Sequence, residues 1–348
     1  MKRQEFKNLA LLGSGIAAAL ALLFSGNANA QGNKNAAFEL EKGRRVLEPL
    51  TFGSLSLLPI VAESPETKTS YLVLDEGMKS KKVKISEVSA DGSVNELAIS
   101  NTSSDPLFLM AGEVIIGGKQ DRIIGKTMVV PAKTKQKVPV FCVEHGRWSG
   151  RKASFESTGA LAHKSLRTKA SFKDQGEVWK EVKSKNGKRK VSNKTDTYGR
   201  VATGKKVRES VKGFDQHFKK ALKSLDAKQR TKHVGYVVAL NGKVVSIEVF
   251  SSSALFRKLE GKLLRSYYVE AVDVAKTKNA KVAGAKEVRA FRVKAKGKAK
   301  KAKRVISGKA GEADAADTFQ FDDEDLKGSI VKSKEEPAAP AVYEGTFN

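Results

Sequence analysis

"GEVIIGGKQDRIIGK" occupies residues 112–126 and combines three kinds of signal. Its glycines and lysine are typical of a phosphate-binding loop, its paired isoleucines of β-strands, and its polar residues of a functional site. A phosphate loop needs a glycine five residues before the glycine that precedes the lysine, and Ser or Thr after the lysine. Glu113 stands at the first position, and Gln120 follows Lys119. We therefore predict two strands joined by a turn or bulge at Gly117–Gly118.

Strand alternation places polar side chains of two segments on a shared surface. Successive side chains of a strand point to opposite faces, so Gln120 and Arg122 lie on one face. In "VPVFCVEHGRW", residues 138–148, the same rule puts Cys142 and Glu144 on one face. If the two strands are neighbours, Arg122 can meet Glu144.

The same cluster can also include Glu113 at a strand end and two residues just past the second strand, Arg147 and Trp148. Three interpretations are open. The cluster is a buried ion pair that fixes the sheet, a binding pocket for an anion with an aromatic stacking surface, or an acid–base pair of glutamates. The predicted catalytic residues are Glu113 and Glu144, and the predicted ligand-binding residues are Gln120, Arg122, Arg147 and Trp148.

The single cysteine, Cys142, is a candidate site thiol. It is three residues from His145, so on a strand the two side chains point to opposite faces and do not form a papain-like pair. The remaining histidines, His163, His217 and His233, lack metal-ligand spacing. We expect no metal site and no cofactor.

The N-terminus is typical of an export signal. Lys2, Arg3 and Lys7 precede an apolar run at residues 9–24, and the segment Ala28-Asn29-Ala30 follows it with small residues at the spacing of a cleavage site. Residues 1–30 are therefore predicted to be a signal peptide. We expect the mature chain to be exported to the periplasm or the extracellular space, without a stable membrane span.

The rest of the chain predicts an α+β fold. Several short strands between residues 46 and 145 indicate a mostly antiparallel sheet or sandwich. Two apolar-faced helices flank a hairpin that turns at Asn241–Gly242, a preferred two-residue turn, so the C-terminal part is predicted to be helix–hairpin–helix. The expected organisation is a flexible leader at 31–45, a single α+β domain at 46–291 with a basic loop near 183–207, and a charged low-complexity tail at 292–348 that can hold a returning edge strand at 341–347.

The net charge of +27 at pH 7 favours anionic partners. The lysine-rich segment between residues 151 and 233 has few aromatic residues to stack on bases, so we expect no specific nucleic-acid recognition. The charge leaves the oligomeric state open.

Three segments together resemble a known bacterial family. They are "YLVLDEGM" (71–78), the stretch from Ala111 to Trp148, and "VGYVVALNGKVVSIEVF" (234–250). The family is named for association with ADP-ribosylglycohydrolase (ARG) and rhodanese-phosphatase proteins. The resemblance implies a single α+β domain linked to the metabolism of ADP-ribose or nucleotide derivatives, and it implies no activity. The positions that match the family motif are Glu113, Gln120, Arg122, Cys142, Glu144, Arg147 and Trp148.

Two functional hypotheses follow. In the first, an exported domain binds a small anionic, nucleotide- or ADP-ribose-like ligand at the Glu/Gln/Arg/Trp cluster, and processing of that ligand by the glutamates is a further option. In the second, a cationic envelope protein binds acidic polymers through its lysines, and the cluster is structural.

Overall fold

A computed structural model describes residues 37–63, 67, 69–149, 154–191, 193–275, 277, 282–308, 312, 315–335 and 339–348. The predicted signal peptide and residues 31–36 of the predicted leader lie outside the described residues. The described residues from 37 to 348 form one compact unit. No helix in the described ranges has both the length and the apolar character needed to cross a membrane.

The strands lie mainly in the first and last thirds of the described chain. They are β1 (Phe38–Glu41), β2 (Arg44–Val46), β3 (Leu50–Phe52), β4 (Leu55–Ala62), β5 (Leu72–Val73), β6 (Val83–Ser86), β7 (Glu96–Asn101), β8 (Leu107–Leu109), β9 (Glu113–Gly117), β10 (Arg122–Ile124), β11 (Met128–Val130), β12 (Thr134–Cys142), β13 (Phe155–Leu161), β14 (His233–Leu240), β15 (Lys243–Phe250), β16 (Lys303–Ile306), β17 (Ala316–Asp322), β18 (Lys327–Ser333) and β19 (Tyr343–Phe347).

The helices are concentrated between β13 and β16. They are α1 (Leu74–Lys79), α2 (Lys164–Phe172), α3 (Gln175–Lys188), α4 (Gly199–Thr203), α5 (Lys205–Ala221), α6 (Ala227–Lys232), α7 (Ser253–Ala271) and α8 (Ala285–Ala299), with a short 3₁₀ turn at Leu222–Ser224.

The largest sheet has ten strands in the order β1-β2-β4-β14-β15-β19-β18-β17-β16, and β3 pairs with β4 beside this path. All its pairs are antiparallel. β4 is buried along almost its whole length, as expected for a strand covered on both faces. The sheet therefore joins the first and the last strands of the described chain.

The quoted stretch lies in a second sheet of six strands, ordered β13-β9-β10-β12-β7-β6. In this sheet β10 pairs with both β9 and β12, and Arg122 is opposite Ile115 on one side and Cys142 on the other. Three further strands, β11-β8-β5, form a small sheet whose β5–β8 pair is parallel. The strands that carry the predicted cluster are therefore neighbours.

Helix α7 connects the sheets through the main apolar core. Ser252 caps its N-terminus by accepting a hydrogen bond from the Leu255 N–H at 3.1 Å. Leu255, Leu259 and Leu263 recur every four residues and are fully or almost fully buried. Phe256 packs on Phe250 of β15, with ring centroids 5.5 Å apart. The helix thus fixes its polar residues, Lys262 among them, relative to both large sheets.

The mixed α+β class with extensive antiparallel sheets is confirmed. A C-terminal part made of helix–hairpin–helix is not confirmed as an architecture. The β14–β15 hairpin is an internal part of the ten-stranded sheet, and after α7 the chain continues with α8 and four more strands. Local patterns identify helices and hairpins, but they do not specify which distant strands pair.

Three segments differ from the expected organisation. Residues 38–45, expected as leader, form β1 and most of its partner β2. Residues 183–188, in the expected basic loop, complete helix α3. Residues 292–348, expected as a low-complexity tail, contain the end of α8 and strands β16 to β19, and β19 lies between β15 and β18 instead of at an edge. Opposite charges in the tail pair with each other, for example Lys298 with Asp323 at 2.5 Å, which favours an ordered fold.

Candidate functional site

The Gly117–Gly118 pair begins the connection from β9 to β10. Both residues have positive φ, +125° and +49°, a conformation that glycine adopts without steric cost. A Cβ at Gly117 would lie 2.4 Å from the carbonyl oxygen of Ser154. The following Lys119 N–H donates to Glu87 Oε1 at 2.9 Å. The glycines therefore permit a tight turn between antiparallel strands.

Arg147 holds this turn in place. Its Nε and Nη2 donate to Glu144 Oε2 at 3.0 and 2.6 Å. Its Nη1 donates to the carbonyl oxygens of Gly118 and Ser149, both at 2.7 Å, and Nη2 also contacts the Gly117 carbonyl at 3.3 Å. A guanidinium has five N–H donors, and all five have an acceptor in the protein. Arg147 therefore acts by positioning the turn and has no donor left for a ligand.

Glu144 and Asp121 form the acidic part of this arrangement. Glu144 is fully buried, and its Oε2 also accepts the Asp121 N–H at 3.0 Å. Burial raises the pKa of Glu144, but hydrogen bonds from Arg147 and Thr195 outweigh burial and hold the pKa below its usual value. Burial keeps the pKa of Asp121 above its usual value, although Thr197 Oγ1 donates to Asp121 Oδ2 at 2.6 Å.

Asp121 also borders a cavity of about 270 Å³, together with Gly117, Thr197 and Arg200. Asp121 is not among the site residues predicted from the sequence, although it lies inside the stretch at 112–126. Its signal was available, since Asp121 is a carboxylate directly beside the predicted Arg122 and next to a glycine turn.

Arg122 is fully buried, and it is paired far less well than Arg147. Nη1 donates to Gln120 Oε1 at 3.2 Å and Nη2 to the carbonyl of Ser93 at 3.4 Å. Its Nε has no hydrogen-bond partner, and in the part of the chain that the structure describes no carboxylate oxygen lies within 4.0 Å of the guanidinium. The predicted contact with Glu144 is thus not made, because Glu144 binds Arg147.

Trp148 covers Arg122 from the solvent side. The guanidinium carbon lies 5.5 Å from the centre of the indole, and Lys119 Nζ lies 5.9 Å from the same ring. Trp148 is 46% exposed, so one part of the indole is accessible to a ligand from solvent. An exposed aromatic plane above a buried cation therefore forms the outer part of the candidate site, and Gln120 forms its side.

Cys142 lies beside Arg122 and is buried. Burial raises the pKa of the Cys142 thiol, and the field of Arg122 offsets this only in part. The side-chain amide of Gln175 bonds both the N–H and the C=O of Cys142 at 2.8 Å. The position of Cys142 fits a packing role better than that of a reactive thiol.

Glu113 lies elsewhere in the sheet. It is opposite the Ile124 end of β10, whereas Glu144 lies beyond the Arg122 end. At about 3.3 Å per residue, the two backbone positions are roughly 13 Å apart along the strand direction. The two predicted catalytic carboxylates therefore do not form one acid–base pair.

Glu113 belongs to a second buried polar group, formed with α7 and α1. The ammonium of Lys262 contacts Glu113 Oε1 and lies 2.9 Å from Asp75 Oδ2. Burial raises the pKa of Glu113 against the opposing effect of Lys262. Ser157 of β13 donates to the other oxygen of Asp75. Lys262 and Asp75 are far from Glu113 in sequence, and no local pattern could have identified them.

A further buried guanidinium, Arg167 of α2, has a hydrogen-bond acceptor at each of its three nitrogens. It donates to both oxygens of Glu248 at 3.1 and 2.8 Å, and its Nε donates to the Ala111 carbonyl at 3.3 Å. The hydroxyls of Tyr267 and Tyr343 donate to the same carboxylate. This group lies at the junction of α2, α7 and the ten-stranded sheet, and we assign it a structural role.

Many lysines of the predicted basic segment lie on the solvent side of helices α3 and α5 and the connections after them. In the described ranges, exposed lysines of this segment without a carboxylate within 4.0 Å are Lys183, Lys188, Lys190, Lys194, Lys212, Lys219, Lys220, Lys223 and Lys228. Among the described residues, no group of three or more His, Cys, Asp or Glu side chains is arranged to hold a metal ion.

Comparison with known proteins identifies the family. The model of the ARG and Rhodanese-Phosphatase-superfamily-associated Protein domain, ARPP-1, matches residues 43–336, which include the candidate site and every described strand except β1 and β19. Searches of curated proteins and of solved structures find no match. The resemblance noted in the sequence is confirmed, and the chain belongs to the ARG and Rhodanese-Phosphatase-superfamily-associated Protein domain family.

Proposed function

We propose that this protein binds a small anionic, nucleotide- or ADP-ribose-like ligand at Arg122, Gln120 and Trp148. The observation that carries the proposal is the state of Arg122, which is fully buried yet lacks a carboxylate within 4.0 Å among the described residues. A buried charge without a partner is costly, and a phosphate or carboxylate group would supply the missing partner.

Trp148 and Gln120 give this site its selectivity. The exposed indole can stack on a base or another flat group, while the Gln120 amide can bond to a hydroxyl or carbonyl of the ligand. Because Trp148 covers Arg122, binding requires the indole to move outward. Arg147 and Glu144 position the site indirectly, because Arg147 bonds the Gly118 carbonyl and Glu144 bonds the Asp121 N–H in the turn at residues 117–121.

We also propose that the site operates outside the cytoplasm. The basic start, the apolar run and the small residues Ala28–Ala30 support export. We do not propose processing of the ligand by these carboxylates, because Lys262 holds Glu113 and the cavity beside Asp121 includes none of Gln120, Arg122 and Trp148.

Titration calorimetry with ADP-ribose, AMP and inorganic phosphate tests the binding proposal. Arg122→Met should weaken binding about 10- to 100-fold, because a charge-assisted bond contributes roughly 1.5–3 kcal/mol. Trp148→Ala should weaken binding of AMP and ADP-ribose about tenfold through lost stacking, and binding of phosphate much less. Arg304→Met, which removes an exposed guanidinium of β16, is the matched control and should leave affinity unchanged.

Indole fluorescence provides a second readout. The chain has two tryptophans, so a Trp179→Phe variant leaves only Trp148 to emit. Saturating ligand should change this emission, and the change should disappear with Arg122→Met. Failure of all three probes to bind, or equal binding by wild type and Arg122→Met, would refute the assignment.

Binding of acidic polymers through exposed lysines is the second candidate function. It is favoured by the nine exposed lysines named above that have no carboxylate within 4.0 Å in the described ranges. Salt separates the two functions. Polymer binding through many lysines should fall steeply between 50 and 200 mM salt, on the order of 10³-fold, whereas binding at the buried Arg122 should change far less.

A further inference from the structure

A cavity of about 430 Å³ lies between four elements, namely strand β13 and helices α4, α5 and α7. Its volume falls in the range of roughly 300–1,000 Å³ typical of small-molecule sites. It contains neither Arg122 nor Trp148 and is therefore separate from the site proposed above. We call it the α5 cavity.

The walls of the α5 cavity are mainly aliphatic. Side chains from all four surrounding elements contribute, and the aliphatic ones are Leu161, Val201, Val207, Val211 and Val269. Burial of a hydrocarbon group against such a surface contributes about 25 cal/mol per Å² of apolar area removed from water. The cavity therefore favours an apolar occupant.

The polar groups in the walls are already bonded within the protein. Thr158 and Thr203 each donate their hydroxyl to a backbone carbonyl at 2.8 Å. The Tyr198 hydroxyl lies 2.9 Å from His163 Nδ1 and also accepts the His163 N–H at 3.1 Å. A sugar or another hydroxyl-rich ligand would find few partners here and would lose its own hydration.

The rim of the cavity is cationic. Arg208 and Lys212 lie on adjacent turns of α5 and are exposed. In the described part of the chain, no carboxylate oxygen lies within 4.0 Å of either side-chain charge. Arg265, the third cation, pairs with Asp215 through a 2.7 Å contact. Two uncompensated positive charges therefore stand at the edge of an apolar cavity.

We propose that the α5 cavity binds a single-chain amphipathic anion, such as a medium-chain fatty acid. The hydrocarbon chain would occupy the aliphatic interior, and the carboxylate would lie at Arg208 and Lys212. The same chemistry occurs in free fatty acids and in anionic lipids, and a cavity of this size with a single charged edge fits one chain.

Displacement of a dansyl-labelled undecanoate tests the proposal. The fluorescence of the dye should increase on binding. Dodecanoate should displace the dye at a concentration at least tenfold lower than neutral dodecanol requires. The double variant Arg208→Gln/Lys212→Gln should weaken dodecanoate about tenfold and dodecanol less than twofold, because only the charged head group loses contacts. Lys219→Gln/Lys220→Gln, on the same helix outside the cavity, should leave both values unchanged.

A cavity-filling variant tests the location of the chain. Ala202 of α4 lines the cavity and is partly exposed, so Ala202→Phe should fill the cavity from its edge and weaken both ligands at least tenfold. Circular dichroism establishes that the variant is folded. If it does not fold, the charge variants, which change only exposed side chains, still decide the outcome.

Three results would overturn the proposal. They are equal affinity for dodecanoate and dodecanol, no effect of the Arg208→Gln/Lys212→Gln pair, and binding to phosphatidylglycerol vesicles without displacement of the dye by monomeric dodecanoate. The last result would show that the cations recognise a membrane surface instead of one chain. The nucleotide titrations of Arg122→Met are independent of all three.

Discussion

Arg167 and Arg122 are both almost completely buried, yet their surroundings differ. Arg167 meets both oxygens of Glu248, and two tyrosine hydroxyls complete the bonding of that carboxylate. Arg122 donates to the Gln120 amide oxygen at 3.2 Å and to the Ser93 carbonyl oxygen at 3.4 Å, and its Nε has no hydrogen-bond partner among the described residues. Two arginines with equal burial therefore differ in how much of their charge is compensated.

This difference separates structural from ligand-binding charges. Removal of either member of a fully bonded buried ion pair lowers the stability strongly, because the remaining charge stays buried without a partner. A buried cation without a counter-ion has already lost its hydration, so it gains most from an arriving anion. We therefore expect mutation of the first kind to lower stability and mutation of the second kind to lower affinity.

The largest effect is expected for Glu248→Gln. The substitution keeps the side-chain volume but removes the charge that compensates Arg167, and it should lower the free energy of unfolding by about 3–5 kcal/mol. Urea unfolding followed by circular dichroism measures this change. Glu209→Gln, an exposed carboxylate 4.0 Å from Lys205, is the control and should change stability by less than about 0.5 kcal/mol. Similar midpoints for the two variants would contradict the structural role of the Arg167 group.

An effect of intermediate size is expected for His233. This side chain is fully buried, and its neighbouring carboxylate, Glu260, also bonds other residues. Glu260 accepts bonds from Arg230 and Tyr236, and it lies 3.5 Å from His233 Nδ1. Burial lowers the pKa of His233 from 6.5 to about 4, and nearby Glu260 compensates only in part. The unfolded chain therefore binds this proton at a higher pH than the folded chain does.

The contribution of His233 to the free energy of unfolding should accordingly be fully present above about pH 6.5. It should decrease by up to about 3 kcal/mol as the pH falls towards 4. Urea midpoints at pH 7.5 and pH 4.5 measure the loss. His233→Gln should remove most of that difference, whereas His217→Gln, at an exposed position, should retain it. A His233→Gln protein with the full pH dependence would show that other groups, such as buried His163, cause the loss.

Arg122→Met should have a small effect on stability. The change removes a cation that holds no carboxylate within 4.0 Å in the described chain, so the free energy of unfolding should change by no more than about 1 kcal/mol. Thermal melts without ligand and with ADP-ribose measure both quantities at once. Wild type should gain stability from the ligand and the variant should not. A loss as large as that of Glu248→Gln would place Arg122 with the structural charges.

The smallest effect concerns Cys142. Its thiol is buried and has a raised pKa, so both access and thiolate formation are disfavoured. Labelling with a coloured disulfide reagent at pH 8 should be negligible in the native protein and complete in urea. Rapid native labelling that ligand prevents would place the thiol in the binding site.

The strands of the candidate site were predictable from the sequence, and the ion pairs were not. Alternation placed Arg122 and Glu144 on a shared surface on the condition that their strands are neighbours, and the Arg122–Cys142 register shows that β10 and β12 are neighbours. It failed for Glu144, because the strand ends at Cys142. There the N–H groups of His145 and Gly146 both donate to the Thr195 carbonyl at 3.1 Å, which bends the chain out of its two-residue period.

Long-range partners account for the remaining differences. Glu113 and Lys262 are 149 residues apart, and only the packing of α7 on the sheet brings them together. The charged tail has the composition of a disordered segment. However, Phe321 and Leu326 form a small core with Ala295 of α8, and Lys294 pairs with Asp325 at 2.9 Å. Composition alone does not reveal that the two charge blocks face each other.

The place of β19 determines when the ten-stranded sheet can form. β15 and β18 have no ladder with each other, and each pairs with β19. A nascent chain that has emerged only as far as Ser333 therefore presents two strands with open edges and a gap between them. Completion of the ten-stranded sheet must therefore wait for residues 343–347, whereas the six-stranded sheet, which lacks β19, can form before they are synthesised.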